Sequence, residues 1–261
     1  MAEVYGSQKP RRRGGRVLIT FIVLLIVIVA GLAVLDRLGA SYAERVISDR
    51  VAEQVANQKA TSEKPDVTIE GVPFLTQVAK GRYQEIKIGL ADFTAPAGNN
   101  KTIKLPLLDI RAKDVRAPLE TLRTRQGDIV ATTVSGSGII DYPQVAQLIG
   151  QKDLKLSERG GKLVGTAPVT ALGQTFTVTG TASLTVKNGV VQVRFADVTA
   201  GGLANMSLVR NIINSYVQQL ALDLKPPQLP LKLVIQKVEP RPDGLAVTLG
   251  AKDVTLNAGG L

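Results

Sequence analysis

Chemistry in this chain falls to carboxylates, amines, hydroxyls and amides, because its 261 residues include neither cysteine nor histidine. The two absences exclude a Ser-His-Asp or Cys-His nucleophile, a His- or Cys-ligated zinc and an imidazole proton shuttle. Without cysteine there are no disulfides, so a domain outside the cytoplasm must stand on its own core. Carboxylate pairs, Ser-Lys arrangements and all-oxygen metal sites stay open. The clearest acidic pattern is an aspartate that follows alternating apolar residues and precedes Val or Phe: Asp92 in IKIGLADF, Asp114 in IRAKDV, Asp197 in VRFADV and Asp253 in LGAKDV. The repeat is far shorter than the roughly 20–50 residues of a stacked-repeat unit. It reads as strands of one antiparallel meander that end alike, or of a meander in two related halves, with the Asp side chains bonding local backbone. A glycosidase needs two carboxyls at one bond, and Asp109 and Asp114, five residues apart, point to opposite faces of an extended strand. The sequence nominates no catalytic residue, no cofactor and no metal ligand.

The elements that position the rest begin with Val17 to Leu35, VLITFIVLLIVIVAGLAVL, a run without a charged residue. As a helix it spans just under ~30 Å, the hydrocarbon thickness of a bilayer. Lys9, Arg11, Arg12, Arg13 and Arg16 precede it. Such a cluster stays on the cytoplasmic side, which places everything from Asp36 onward outside. The competing reading is a cleaved signal peptide, for which Gly31-Leu32-Ala33 would be a poor small-x-small site; either reading exports the remainder. Residues 1–15, polar and rich in Gly and Arg, are expected to be a disordered cytoplasmic tail, and 257–261 a flexible end. Five of the 32 basic residues and one of the 22 acidic residues lie before Asp36, leaving the 226 residues beyond the run at +6. That surplus is scattered. It suits a solvated surface or attraction to anionic lipid, and it lacks the basic helix and aromatic platform of a nucleic-acid binder.

Residues 41–256 form the expected exported domain. Ser41 to Ala60 is predicted as a separate amphipathic helix, with Ser41 and Glu44 at capping-box spacing and Ala43, Val46, Ile47, Val51, Ala52 and Val55 on one stripe. The stripe is expected to rest on the domain rather than on the bilayer. Pro73 and Gly81 bracket a short helical segment carrying Phe74, Leu75 and Val78, with Lys80 and Arg82 just after it. Strands follow from their period-two alternation. Asp141 and Pro143 open a short helix that Gly150 ends. Leu154 to Val164 makes a hairpin around Gly160-Gly161, and Thr175 to Phe195 makes one around Asn188-Gly189, a pair suited to a two-residue turn with positive φ. On the apolar side of that strand Gly180 and Ala182 leave a low spot, to be filled by a helix or by a lipid tail. Leu203 to Leu224 is predicted as a long amphipathic helix, with Ile212, Ile213, Tyr216, Val217 and Leu220 on its apolar face. A strand from Leu231 and one from Leu245, turning at Pro242-Asp243-Gly244, complete the chain. The fold class is α+β: an N-terminal transmembrane helix, then a curved antiparallel sheet wrapped around one or two long amphipathic helices.

The stretch GVPFLTQVAKGRYQEIKIGLADF, with the upstream apolar run and the Asp-Val strand endings, resembles the LmeA-like phospholipid-binding family of actinobacterial envelope proteins. The similarity runs from about Ser41 to Leu256. It implies a membrane-associated phospholipid binder in cell-envelope lipid or lipoglycan metabolism, with a fold like that of the tubular lipid-binding superfamily. It carries over no ligand-contacting residues. The residues themselves suggest a groove lined by Phe74, Leu75, Val78, Val178, Val193, Ile212, Ile213, Tyr216, Val217 and Leu220. Lys80 and Arg82 would meet a phosphate there, since a cation beside an apolar segment can pair with a headgroup. A non-enzymatic scaffold of the cell envelope with a dry core is the alternative.

Overall fold

The computed structural model describes residues 14–96, 101–124, 126–150, 153–171, 174–200, 222–224 and 233–257. One helix, α1 (Gly14–Asn57), opens the chain, followed by β1 (Asp66–Glu70), α2 (Phe74–Lys80), β2 (Arg82–Pro96), β3 (Thr102–Arg116), α3 (Leu119–Thr124), β4 (Asp128–Ile140) and α4 (Tyr142–Ile149). Then come β5 (Lys155–Arg159), β6 (Lys162–Ala171), β7 (Gln174–Lys187), β8 (Val190–Ala200), β9 (Leu222–Leu224), β10 (Val234–Arg241) and β11 (Gly244–Asn257). The class is α+β, as expected, but the strands make two antiparallel sheets rather than one: β1-β2-β3-β4-β11-β10 and β5-β6-β7-β8-β9. The single meander fails because the C-terminal hairpin returns past the second sheet to pair β11 with β4. Wrapping around long internal helices is not seen among the described residues. Of the expected helix 203–224, residues 203–221 lie outside those described, and Leu222–Leu224 are strand, paired with β8.

α1 corrects a second expectation. The chain does not break before Ser41 and restart; one helix of 44 residues continues from the apolar run into the domain. Ser41 is therefore not a cap, and Glu44 accepts a hydrogen bond from the Ile69 amide at 2.9 Å. The Phe74 ring packs beside Gly39, where a Cβ would lie 3.5 Å from it, at ordinary contact distance. Three polar contacts tie the upper helix to the returning chain in order. Ser48 donates to the Pro65 carbonyl at 2.6 Å, Glu44 accepts from Ile69, and Asp36 accepts from the Leu75 amide at 2.7 Å. So β1 and the turn after it run back along α1 toward the apolar run. Of the stripe, Ala43 and Ile47 pack on the domain, joined by Ala40 just before it, while Val46 and Ala52 are exposed.

The four aspartates also differ from expectation. They lie inside strands, and each holds a left-handed backbone, with φ of 48° at Asp92, 51° at Asp114, 51° at Asp197 and 49° at Asp253. Asp tolerates that region better than most side chains, which is a backbone reason for its recurrence. Thr132 of β4 lies between two of them, with Asp114 on β3 to one side and Asp253 on β11 to the other. Each aspartate is exposed, while the apolar residue after it turns inward, fully so at Val115 and Val254.

Two apolar clusters result. One joins α1 and α2 to the first sheet through Ala40, Ile69, Phe74, Tyr83, Val115 and Val134. The other joins α4, the second sheet and the C-terminal hairpin through Tyr142, Val145, Leu163, Val193, Val238 and Leu245. α4 forms as its sequence dictates: Asp141 accepts from the Gln144 amide at 2.8 Å, and Gly150 closes the helix with φ of 84°.

Candidate lipid-binding site

Local chemistry builds α2 and its surroundings. Pro73 precedes the helix, following a cis Val72–Pro73 peptide, and Gly81 ends it in a left-handed conformation, its amide bonding to Gln77 and Val78 carbonyls. Gln77 is buried and ties the turn together, donating to the Glu70 and Gly71 carbonyls at 3.1 and 2.9 Å and accepting from the Gln84 amide at 2.9 Å. Phe74 is buried, its ring 6.3 Å from that of Tyr83 and tilted by 43°. Burial raises the Tyr83 hydroxyl above its ordinary pKa. Val78 packs half-buried against the same cluster, Leu75 is 43 % exposed, and Lys80 and Arg82 are exposed. On the neighbouring strand pair, Lys87 and Glu70 make an ion pair of 2.6 Å, which holds the Glu70 carboxyl below its ordinary range.

The structure thus brings Phe74, Leu75, Val78, Lys80 and Arg82 together beside α1. Val178 and Val193 are buried on β7 and β8 in the other sheet, so the two groups do not share one groove among the described residues. Ile212, Ile213, Tyr216, Val217 and Leu220 lie outside those residues. The low spot at Gly180 and Ala182 is in part already filled. Gly165 pairs with Gly180 across β6 and β7, and a Cβ at Gly165 would stand 2.6 Å from Cε1 of Phe195. A ring from the adjacent strand covers the glycine pair, which is neither the helix nor the lipid tail that the sequence suggested.

A cleft of about 570 Å³ opens between the second sheet and the edge strand of the first. Leu163 on β6, Ala182, Leu184 and Val186 on β7, and Val238 and Pro240 on β10 supply its apolar lining. Lys162, Ser183, Gln236, Lys237 and Glu239 supply polar groups. Lys237 and Glu239 pair at 2.7 Å, and that hydrogen bond keeps the Glu239 carboxyl below its ordinary range. The volume lies within the roughly 300–1,000 Å³ typical of small-molecule sites. Of these residues the strand alternation puts Ala182, Leu184 and Val186 on one apolar side, with Ala182 in the low spot. The alternation along β7 says which side chains share a face, but not that β10 comes to stand over it.

The comparison with known families adds the deciding observation: residues 34–250 match the model of LmeA-like phospholipid-binding proteins. The chain belongs to the LmeA-like phospholipid-binding family. The match begins inside α1, two residues before Asp36, and reaches Gly250 in β11. It therefore takes in both sheets and the cleft of this LmeA-like chain. The family is one of lipid-binding proteins. No curated protein and no solved structure matches the chain. The apolar helix at the N-terminus has the length and composition of a membrane span or a signal sequence.

Proposed function

We propose that this protein is held in the membrane by α1, with its N-terminus inside and its main domain outside, and that it takes phospholipid acyl chains into the space between its two sheets. The cleft lined by Leu163, Ala182, Leu184, Val186 and Val238 supports the reading, since it sets apolar side chains beside Lys162, Lys237 and other polar groups in a chain of a phospholipid-binding family. Each methylene buried is worth ~0.8 kcal/mol relative to water, so leaving a chain of about 15 of them in water costs on the order of 12 kcal/mol. A groove that covered the whole chain would offset most of that, and exchange with a bilayer would then be nearly thermoneutral. Ile212, Ile213, Tyr216, Val217 and Leu220, which lie outside the described residues, would add further apolar contacts to the lipid. Lys80 and Arg82 would meet headgroups nearer the bilayer, with Phe74, Leu75 and Val78 beside them. The family likeness further suggests a part in envelope lipid or lipoglycan metabolism. The test is native mass spectrometry and lipid extraction of the full chain purified in detergent. Co-purified phospholipid is the expected result, reduced by Ala182→Phe at the lining. Protein free of lipid, taking none from liposomes, would overturn the reading in favour of a scaffold with a dry core.

A further inference from the structure

We infer that the Gly71–Leu75 turn is a second membrane contact, a tip that enters the headgroup layer of the same bilayer that α1 spans. This rests on reading α1 as a membrane anchor. The placement follows from the hydrogen bonds between α1 and the returning chain. Pro65 is level with Ser48, Ile69 with Glu44, and Leu75 with Asp36. Moving from Ser48 to Asp36 along α1 therefore moves the chain from the start of β1 to the start of α2, toward the apolar run. Asp36 is the first residue past that run. When Val17 to Leu35 fills the hydrocarbon, the carboxylate of Asp36 stands at its outer boundary, and the Leu75 amide is 2.7 Å from it.

What the turn presents at that level is apolar. Val72 is 65 % exposed and Leu75 43 %, although both sit beside a well-formed core. On α1, Leu38 and Tyr42, about 3 and 9 Å past Asp36 along the axis, are 63 % and 72 % exposed, and Leu75 Cδ2 reaches within 3.7 Å of a Cβ built on Gly39. Leu75 thus borders α1 where the spanning run ends. Arg37 and Arg45, both exposed, sit among these residues on α1, where cations gain from anionic headgroups. Tyr at such a boundary is itself a common interfacial anchor. The bilayer is the occupant that this surface fits, because the surface begins where the hydrocarbon-spanning residues end. A tip held in the headgroups, with α1 clamped at Asp36, Glu44 and Ser48, fixes the domain upright over the leaflet from which lipid would be drawn.

The chain has no cysteine, so a single introduced thiol can be labelled uniquely. The full chain would be reconstituted in phosphatidylcholine–phosphatidylglycerol vesicles, with an environment-sensitive fluorophore on Val72→Cys, Leu107→Cys or Leu25→Cys. Leu107 is 52 % exposed and faces Ala91 on β2, six residues beyond the partner of Glu70, about 20 Å farther from the tip. Nitroxide carried on the lipid headgroup region should quench the probe at Val72→Cys and shift its emission to the blue, and leave Leu107→Cys unaffected. Quenching at Leu25→Cys by deep nitroxide with none at Val72→Cys would overturn the inference and leave the anchor standing. Equal quenching at Val72→Cys and Leu107→Cys would also overturn it, since the domain would then lie flat. No quenching at either Leu25→Cys or Val72→Cys would remove the anchor, and the tip with it.

Discussion

Leu163→Ala is the perturbation that most directly tests how the second sheet meets the C-terminal hairpin. Leu163 has 1 % of its surface exposed. It belongs to the cluster of Tyr142, Leu154, Val193 and Val238, and it also lines the cleft. Removing three carbons costs ~2.4 kcal/mol in transfer alone, at about 0.8 kcal/mol per methylene. A residual void adds to this, and measured Leu→Ala changes in cores run to about 2–5 kcal/mol. The cleft beside Leu163 gives neighbouring side chains room to relax, which puts the expectation in the lower half of that range, about 3 kcal/mol. For a domain of this size that lowers the melting temperature by ~6–12 °C. The assay is thermal unfolding of the full chain in detergent micelles, followed by far-UV circular dichroism. Added phospholipid should then raise the midpoint of wild type and variant alike, because a ligand at 100 times its Kd stabilises by about 2.7 kcal/mol. A fall of less than ~2 °C would refute the packing argument, since the transfer term alone predicts more. A normal fall with no response to phospholipid in either protein would leave the packing intact and count against the cleft as the lipid site.

Asp114→Gly should leave the unfolding midpoint close to wild type, whereas Asp114→Val should cost ~1–2 kcal/mol, because the left-handed backbone at φ 51° suits glycine and excludes a β-branched side chain; equal stability of the two would show that this backbone is not retained in solution. Alkaline titration should show two tyrosines ionising above the ordinary pKa of about 10. These are Tyr83, raised by burial, and Tyr142, raised by burial, with its hydroxyl proton held by the Arg241 carbonyl at 2.6 Å. A folded pKa above the unfolded one means that their contribution to stability is complete below pH ~10 and is lost as pH rises through the raised values. Tyrosinate absorbance that followed a single ordinary titration in the folded protein would contradict the burial.

Some of this architecture was readable because its causes lie within a few residues of one another. Uninterrupted apolar residues over a bilayer's thickness, Asp141 and Gly150 at the two ends of α4, Pro73 and Gly81 around α2, and Gly160-Gly161 and Asn188-Gly189 in their turns all act through local backbone geometry. The α+β class and the antiparallel pairing followed from the same evidence. Period-two alternation, however, says which side chains share a face and not which strand becomes the neighbour. The pairing of β4 with β11, which splits the strands between two sheets, joins residues about a hundred positions apart, and no local signal reports it.

The candidate site divides in the same way. Phe74, Leu75, Val78, Lys80 and Arg82 stood out as a unit and remain one, because α2 is a local structure. Val178 and Val193 shared an apolar pattern with them, yet they belong to the other sheet. Gly180 was correctly read as an absence of bulk, but only tertiary structure supplied the Phe195 ring that covers it. The sequence by itself determined where the chain can enter a bilayer, which segments turn, and which faces are apolar, since each depends on side-chain size and polarity along a short stretch. Tertiary structure alone decided that α1 runs unbroken into the domain, that Asp36 meets Leu75, and that β10 stands over β7 to leave a cleft. Those contacts depend on how distant faces are brought together, and alternation or helical period cannot encode a partner.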